Sequence, residues 1–205
     1  MLHLRTTAAV VGALVALGAS PAGAQKPEAA APPRPSAGAP ASGEDRAALD
    51  RYRAEAAANP RAGWMAGMLI LRGVDPGAGP DDAYRLVRAA AEAGDVNAQV
   101  STGVMLATGQ GVRENDAEAR TWYARAAQQG SAHGLRSVAG MMLIGEGGPA
   151  DVVRGVGLMR VAAAAGDRPA QQILASVPPL PAEQSAAADE VARAWLRIHP
   201  NMRPD

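Results

Sequence analysis

Small and apolar residues recur with a period of 36 along residues 61–167, and each period contains two helical patterns. Gly94, Gly130 and Gly166 mark the period, because each ends an Ala-Ala-x-x-Gly sequence. Within a period, apolar residues at helical spacing fill two stretches that a glycine-containing turn separates. The predicted pairs, helix A and then helix B, are 61–72 with 80–93, 96–108 with 116–129, and 132–144 with 151–165, and a fourth repeat begins at 168 and stops near 176.

The predicted helix ends have residues suited to capping. Glycine tolerates the left-handed conformation that commonly follows a last helical turn, and it stands after each A helix and each B helix of the three repeats. Asp95, Ser131 and Asp167 come directly after the B-helix glycines, where their side chains can cap the next helix. Consecutive helices are therefore expected to be joined by short turns and to pack as neighbours.

The recurring positions predict how these helices pack. Small residues at equivalent positions would let two backbones approach closely, and large apolar residues would complete the contact. The small positions are Ala62, Ala98, Gly134 and Ala170, and Gly67, Gly103, Ala139 and Ala175; the large ones are Ile70, Leu106 and Met142 on helix A, and Leu86, Trp122 and Leu158 on helix B. One repeat cannot bury these faces alone, so the pattern predicts an all-α stack of repeats over residues 61–176.

Further helices are predicted on both sides of the repeats. Residues 44–60 hold an N-terminal helix that Asn59-Pro60 ends. Residues 177–205 hold a C-terminal helix whose apolar face would consist of Ala187, Val191, Ala194, Trp195 and Ile198. We interpret it as a cap over the last repeat, since solenoids need a polar outer surface at their ends. The alternative interpretations of this helix are that it docks on a partner or that it lies on a membrane surface.

The second repeat resembles a known family. Its sequence Ala98-Gln99-x-x-x-Gly103, Gly109-Gln110-Gly111-Val112, Asp116-x-x-Ala119-x-x-Trp122-Tyr123-x-x-Ala126-Ala127-x-x-Gly130 resembles the Sel-one-like repeat (SLR) family, which is related to the tetratricopeptide repeats. The resemblance extends over residues 62–176. Repeat three has Leu158-Met159 in place of Trp122-Tyr123, and repeat one has Asp75 in place of the second turn glycine.

The resemblance implies a right-handed α-α superhelical solenoid of three to four helix pairs that binds a protein or peptide on its concave face and performs no reaction. As in the tetratricopeptide relatives, the A helices would supply that face. Residues between the packing positions would then contact the ligand, and the predicted contacts are Trp64, Met68, Ser101, Met105, Arg136 and Ser137. The identity of the partner is not encoded in the repeated positions, because those are the positions that pack.

The N-terminus predicts export from the cytoplasm. Residues 1–24 combine a short segment containing Arg5, an uncharged apolar run and an Ala22-Gly23-Ala24 cleavage sequence, which is typical of a secretory signal peptide. An uncleaved anchor is the alternative. Residues 25–43 are rich in Ala and Pro and have no large apolar side chain, so they are predicted to be a disordered linker. The mature protein is expected in the periplasm or outside the cell.

Composition removes several functional classes. The chain has no cysteine, and its 20 Lys and Arg balance 20 Asp and Glu, which favours neither nucleic acid nor an anionic membrane as a partner. The remaining candidates for chemistry are His133 and His199, the adjacent carboxylates Asp81-Asp82 and Asp189-Glu190, and the glycine-rich turn 73–80. None has the spacing of a metal site, a catalytic pair or a phosphate loop. We therefore expect no cofactor and no enzymatic activity; the alternative is a cell-envelope enzyme such as a β-lactam or peptidoglycan hydrolase.

Overall fold

The structure, a computed structural model, describes residues 42–202 and is all-helical over that range. The predicted signal peptide and the linker up to residue 41 lie outside the described residues. The α-helices are α1 (Gly43–Glu55), α2 (Pro60–Leu71), α3 (Pro80–Glu92), α4 (Val96–Thr108), α5 (Asp116–Gln128), α6 (Ala132–Ile144), α7 (Val152–Ala164), α8 (Arg168–Ser176) and α9 (Ala182–Ile198), and a 3-10 turn covers Pro200–Met202. The described residues form two compact units, 42–122 and 123–202, so each is described by itself.

Side-chain caps begin the helices where the sequence predicts them. The carboxylate of Asp95 accepts a hydrogen bond from the backbone N–H of Ala98 at 2.8 Å. Ser131 and Asp167 make the same contact three residues ahead, at 3.1 Å and 2.8 Å. Asn59 caps α2, which has Pro60 at its first position. These caps replace hydrogen bonds that the first backbone N–H groups of a helix cannot make within the helix.

In residues 42–122, α2 and α3 form a helix pair, α1 packs on α2, and α4 packs on α3. The predicted small position Gly67 lies against α3, where an added Cβ would stand 2.5 Å from Cγ2 of Val87 and 3.1 Å from the carbonyl oxygen of Ala83. Ile70 and Leu106, the large apolar positions of the A helices, are 4% and 1% exposed. Backbone proximity and the apolar burial of helix A therefore come from the predicted positions. On helix B the prediction of Leu86 is corrected, because Leu86 is only half-buried and its neighbour Val87 is fully buried.

In residues 123–202, α6 and α7 form the next helix pair. Gly134 permits a close approach, because a Cβ there would lie 2.9 Å from the amide nitrogen of Ala127 and 3.0 Å from the carbonyl oxygen of Tyr123. In α8 only Ala170 is buried. Ala175, predicted as a small packing position, is exposed, because the chain after α8 does not supply the helix B that covers this position in the other repeats.

The C-terminal helix α9 packs on α7, the helix B of repeat three. The prediction of its buried face is corrected at the first residue: Ala187 is exposed, whereas its neighbour Ala188 is fully buried. Ala188 and Val191 lie over Gly157, where an added Cβ would be 2.5 Å from the carbonyl oxygen of Ala188. Ile198 is 73% exposed, which also corrects the prediction. The close approach of Gly157 to α9 determines which side of the helix is buried, and the apolar pattern of α9 alone does not reveal it.

Thr102 is the one buried side chain among the described residues whose polar atom has no hydrogen-bond partner. It lies on α4 and is fully buried, and the equivalent positions of repeats one and three hold Ala66 and Val138. A buried hydroxyl without a hydrogen-bond partner destabilises the folded state, because it loses its hydrogen bonds to water and gains none in the protein. We therefore expect Thr102→Val, which conserves the shape, to raise the free energy of unfolding by about 1 kcal/mol.

Urea unfolding followed by circular dichroism measures this effect. Thr102→Ser is the matched control, because it keeps the hydroxyl and removes the methyl group, and it should lower stability. If Thr102→Val destabilised the protein, the hydroxyl would have a role that the contacts of residues 42–202 do not reveal.

Candidate interaction surface

In residues 42–122, the exposed sides of α2 and α4 are joined by a side-chain hydrogen bond. The indole Nε1 of Trp64 donates to Oγ of Ser101 at 2.9 Å. The guanidinium of Arg61 lies over the same indole, 4.7 Å from its centre. Trp64 and Ser101, both predicted as ligand contacts, are partly exposed and lie side by side. The indole is therefore fixed at the surface by a hydrogen bond on one side and by a cation on the other.

Apolar side chains extend this surface along the two helices. Met68, also predicted as a ligand contact, is partly exposed on α2. Val104 on α4 is 37% exposed, and the sequence prediction missed it. The repeat could have revealed it, because Val104 is the equivalent of Met68 at the period of 36. We call Arg61, Trp64, Met68, Ser101 and Val104 the α2–α4 face.

Met105 does not belong to that face, which corrects its prediction as a ligand contact. Its side chain is 1% exposed. The equivalent residues Leu69 and Met141 are also buried, at 7% and 6%, so the position belongs to the core of every repeat. A charged substitution of Met105 would therefore disturb folding and could not report on a binding surface.

The other two predicted contacts, Arg136 and Ser137, lie on α6 in residues 123–202, and both are partly exposed. Arg136 is used within the fold: its Nε lies 2.9 Å from Oδ1 of Asp167, and the two side chains are 23% and 10% exposed. Asp167 also caps α8. Arg136 thus ties α6 to the start of α8, and its role as a ligand contact stays a prediction, as does that of Ser137.

His133 lies one turn before Arg136 on α6. Its pKa is lowered from 6.5 because neighbouring groups partly bury the imidazole and because Arg136 is positively charged, while Asp167 acts in the opposite direction. The unfolded chain therefore takes up this proton at a higher pH than the folded chain. Stability contributed by the neutral imidazole is present above pH 6.5 and is lost as the pH falls from there through the folded-state pKa.

We expect His133→Asn, the residue that repeat two has at this position (Asn97), to remove that part of the pH dependence. Melting temperatures of both proteins between pH 7.5 and 5 measure the difference. The effect should be small, because the imidazole of His133 is only partly buried and much of its surface stays exposed. Identical pH profiles would show that the imidazole has the same pKa in the folded and unfolded chains.

A cleft of ≈ 440 Å³ lies beside α3 in residues 42–122, and Tyr84, Arg88 and Glu118 of its lining interact with one another. Arg88 donates hydrogen bonds to the hydroxyl of Tyr84 and to Glu92, both at 2.9 Å, and lies 3.1 Å from Glu118. The pKa of Arg88 is raised by these partners, with Glu92 the largest influence. Across residues 42–202, no three His, Asp or Glu side chains come together as a metal site would require.

The repeats match a known family. The Sel1 repeat matches at residues 61–95, 96–131 and 133–167, which is more than half of the chain. The chain belongs to the Sel1 repeat family. These ranges follow the period deduced from the glycines, and the all-helical solenoid fold of consecutive helix pairs is confirmed.

Solved Sel1-type structures resemble this Sel1 repeat protein. A protective antigen of uropathogenic Escherichia coli strains, which displays an SLR fold, is 21% identical over 75% of this chain and 34% of its own, with a TM-score of 0.68. This chain thus spans about a third of that protein. A Sel1 repeat protein from Oxalobacter formigenes is 28% identical over 62% of this chain and 96% of its own, with a TM-score of 0.55.

No curated protein matches the chain at a significant level. None of the helices in residues 42–202 has both the length and the apolar character needed to span a membrane.

Proposed function

We propose that this Sel1 repeat protein is a non-enzymatic scaffold that binds a protein or peptide partner on the exposed side of its A helices. Sel1 repeats commonly mediate protein–protein interaction, which supports the general class. The observation that carries the specific proposal is the α2–α4 face: Trp64, Met68 and Val104 are partly exposed there beside the Trp64–Ser101 hydrogen bond. By contrast, the core side chains of the same helices are buried: Leu69, Ile70, Met105 and Leu106. Aromatic and methionine side chains held at a surface are typical of binding sites.

Comparison of equivalent positions in the repeats supports the same surface. The buried positions are filled alike, as Ala62, Ala98, Gly134 and Ala170 are. The partly exposed positions differ: Met68 is followed at the period of 36 by Val104 and Gly140. Packing requires similar residues in every repeat, whereas recognition of one partner requires different ones. The A-helix surface therefore has the variation that a specific interface needs.

Site-specific photo-crosslinking in the native cell tests the scaffold. A photoreactive amino acid at Val104 on the α2–α4 face should yield crosslinked partner proteins. The matched control is the same amino acid at Ala89, which is exposed on α3. Identical products from both positions, or products from Ala89 alone, would contradict the proposed surface.

We further propose that the scaffold works in the periplasm or outside the cell, on the grounds of the signal peptide predicted for residues 1–24. The mass of the protein purified from its native cell should correspond to a chain that begins at Gln25. Cell fractionation should recover it with periplasmic or secreted proteins. Full-length protein in the cytoplasm would contradict this location and would leave the binding surface unaffected.

A further inference from the structure

The α2–α4 face is built on helices that contain no carboxylate side chain. Within Pro60–Leu71 and Val96–Thr108, the only charged residue is Arg61. The neighbouring α3, by contrast, contains charges of both signs: Asp81, Asp82 and Glu92 with Arg85 and Arg88. The two A helices of residues 42–122 therefore offer a partner one cation and no carboxylate of their own.

The guanidinium of Arg61 has donors available for a ligand. Its nearest acidic neighbour is Asp95, with Nη1 to Oδ2 at 4.0 Å, and the Arg61 side chain is 56% exposed. The other oxygen of Asp95 is committed to capping α4. The comparable pair in residues 123–202, Arg136 with Asp167, is closed at 2.9 Å and is much less exposed. Arg61 is therefore held over Trp64 with most of its hydrogen-bonding capacity unused.

Apolar surface begins directly beside this cation. The indole of Trp64 is fixed by Ser101, and Met68 and Val104 offer partly exposed side chains on the same helices. A fixed aromatic ring can accept a large apolar side chain at low entropic cost, and methionine adapts to the shape of what it contacts. An arginine fork binds a carboxylate through two parallel hydrogen bonds.

We propose that the α2–α4 face binds a peptide segment of a partner protein in which a carboxylate side chain lies next to a large apolar side chain. The carboxylate pairs with Arg61, and the apolar side chain packs on Trp64, Met68 and Val104. This inference rests on the proposed scaffold function and adds the chemistry of its partner. A segment rich in Lys or Arg is disfavoured, because it would place a cation beside Arg61, and the nearest carboxylate, Asp95, is only 11% exposed and already caps α4.

Three pools of fluorescein-labelled synthetic decapeptides test the proposal by fluorescence anisotropy with the purified protein. All pools contain Leu, Met and Phe; the variable positions are Asp and Glu in the first, Asn and Gln in the second, and Lys and Arg in the third. We expect the acidic pool to bind at least tenfold more tightly than the basic pool. Arg61→Glu should abolish that preference, Arg61→Gln should reduce it, and Trp64→Ala should weaken binding of the acidic pool.

The matched control is Arg85→Glu, which makes the same change of charge at an arginine of α3 whose side chain is 72% exposed. It should leave binding within twofold of the wild type, and melting curves should show that each variant is folded. Equal binding of the acidic and basic pools, an equal loss in Arg61→Glu and Arg85→Glu, or binding of no pool would overturn the proposed chemistry. If Val104 still crosslinked a partner in the cell, the scaffold proposal would stand and only its partner chemistry would be wrong.

Discussion

Replacing Trp122 with alanine is expected to lower the free energy of unfolding by about 3–5 kcal/mol. Trp122 is 3% exposed, on α5, so truncation removes an almost entirely buried indole and leaves a cavity that close-packed helices fill only partly. The indole Nε1 also donates to Oε1 of Glu118 at 3.3 Å, a bond that is lost with the ring. The burial itself was predicted from the repeat and is confirmed.

The matched control for this prediction comes from the chain itself. Trp122→Leu installs the residue that Leu86 and Leu158 provide at the equivalent positions, so it keeps part of the apolar volume and should cost less than the alanine variant. Urea unfolding followed by circular dichroism ranks the two, and hydrogen exchange of α5 and its neighbours locates the loss. A midpoint for Trp122→Ala equal to that of the wild type would show that this position contributes nothing to the stack.

Helix boundaries and the core could be predicted from the sequence because both depend on local residue chemistry repeated at a fixed spacing. A cap such as Asp95 acts within three residues of its own position. A small residue such as Gly67 recurs wherever two backbones must approach. Because each capping or packing residue recurs in all three repeats, it can be distinguished from a residue that occurs in one helix by chance.

The candidate surface was predicted less well because exposure changes between adjacent residues. Met105 is 1% exposed and its neighbour Val104 is 37% exposed. If the buried face of the helix is assigned one residue out of place, the buried residue is taken for the exposed one. Comparison of each position with its equivalents in the other repeats resolves this case, since Leu69 and Met141 are buried as Met105 is. α9 has no equivalent in the repeats, so the same error at Ala187 and Ala188 could not be resolved in that way.

Contacts between distant residues were beyond the sequence. The bond from Trp64 to Ser101 joins residues 37 apart, and nothing in either local pattern indicates that the two side chains meet. Likewise, Arg136 was predicted from its place between the packing positions of an A helix, whereas its nearest partner, Asp167, is the cap of α8. Which of these charges are paired within the fold is therefore visible only in the structure.

Gly111→Ala is the second substitution with a large expected effect, about 2–5 kcal/mol of lost stability. Gly111 follows α4 with φ of +71°, and an added Cβ would overlap the carbonyl group of Pro80 and lie 2.8 Å from the amide nitrogen of Asp81. Two costs therefore add: the left-handed conformation of a non-glycine residue, and displacement of the turn from the first residues of α3. The second turn glycine of the family pattern is thus a contact between repeats as well as a bend in the chain.

Gly73→Ala separates these two costs. Gly73 has φ of +80°, but an added Cβ would meet no atom within 4 Å, so this variant should lose only about 1–2 kcal/mol. Thermal and urea unfolding of both variants under one set of conditions measure the difference, which estimates the contact with Pro80. If Gly111→Ala cost no more than Gly73→Ala, the close approach would not contribute to stability.

The equivalent of Gly111 in repeat one makes this contact interpretable. Asp75 occupies the position, and the helix before repeat one is α1, which belongs to no repeat. There the carboxylate of Asp75 accepts a hydrogen bond from Arg53 of α1 at 2.7 Å. At the first repeat, the side chain of Asp75 reaches the preceding helix α1. At the second repeat, the backbone of the turn lies directly against Pro80, the first residue of α3, so glycine is required there. Asp75→Gly should therefore weaken the attachment of α1 while Gly111→Ala loosens repeat two from repeat one.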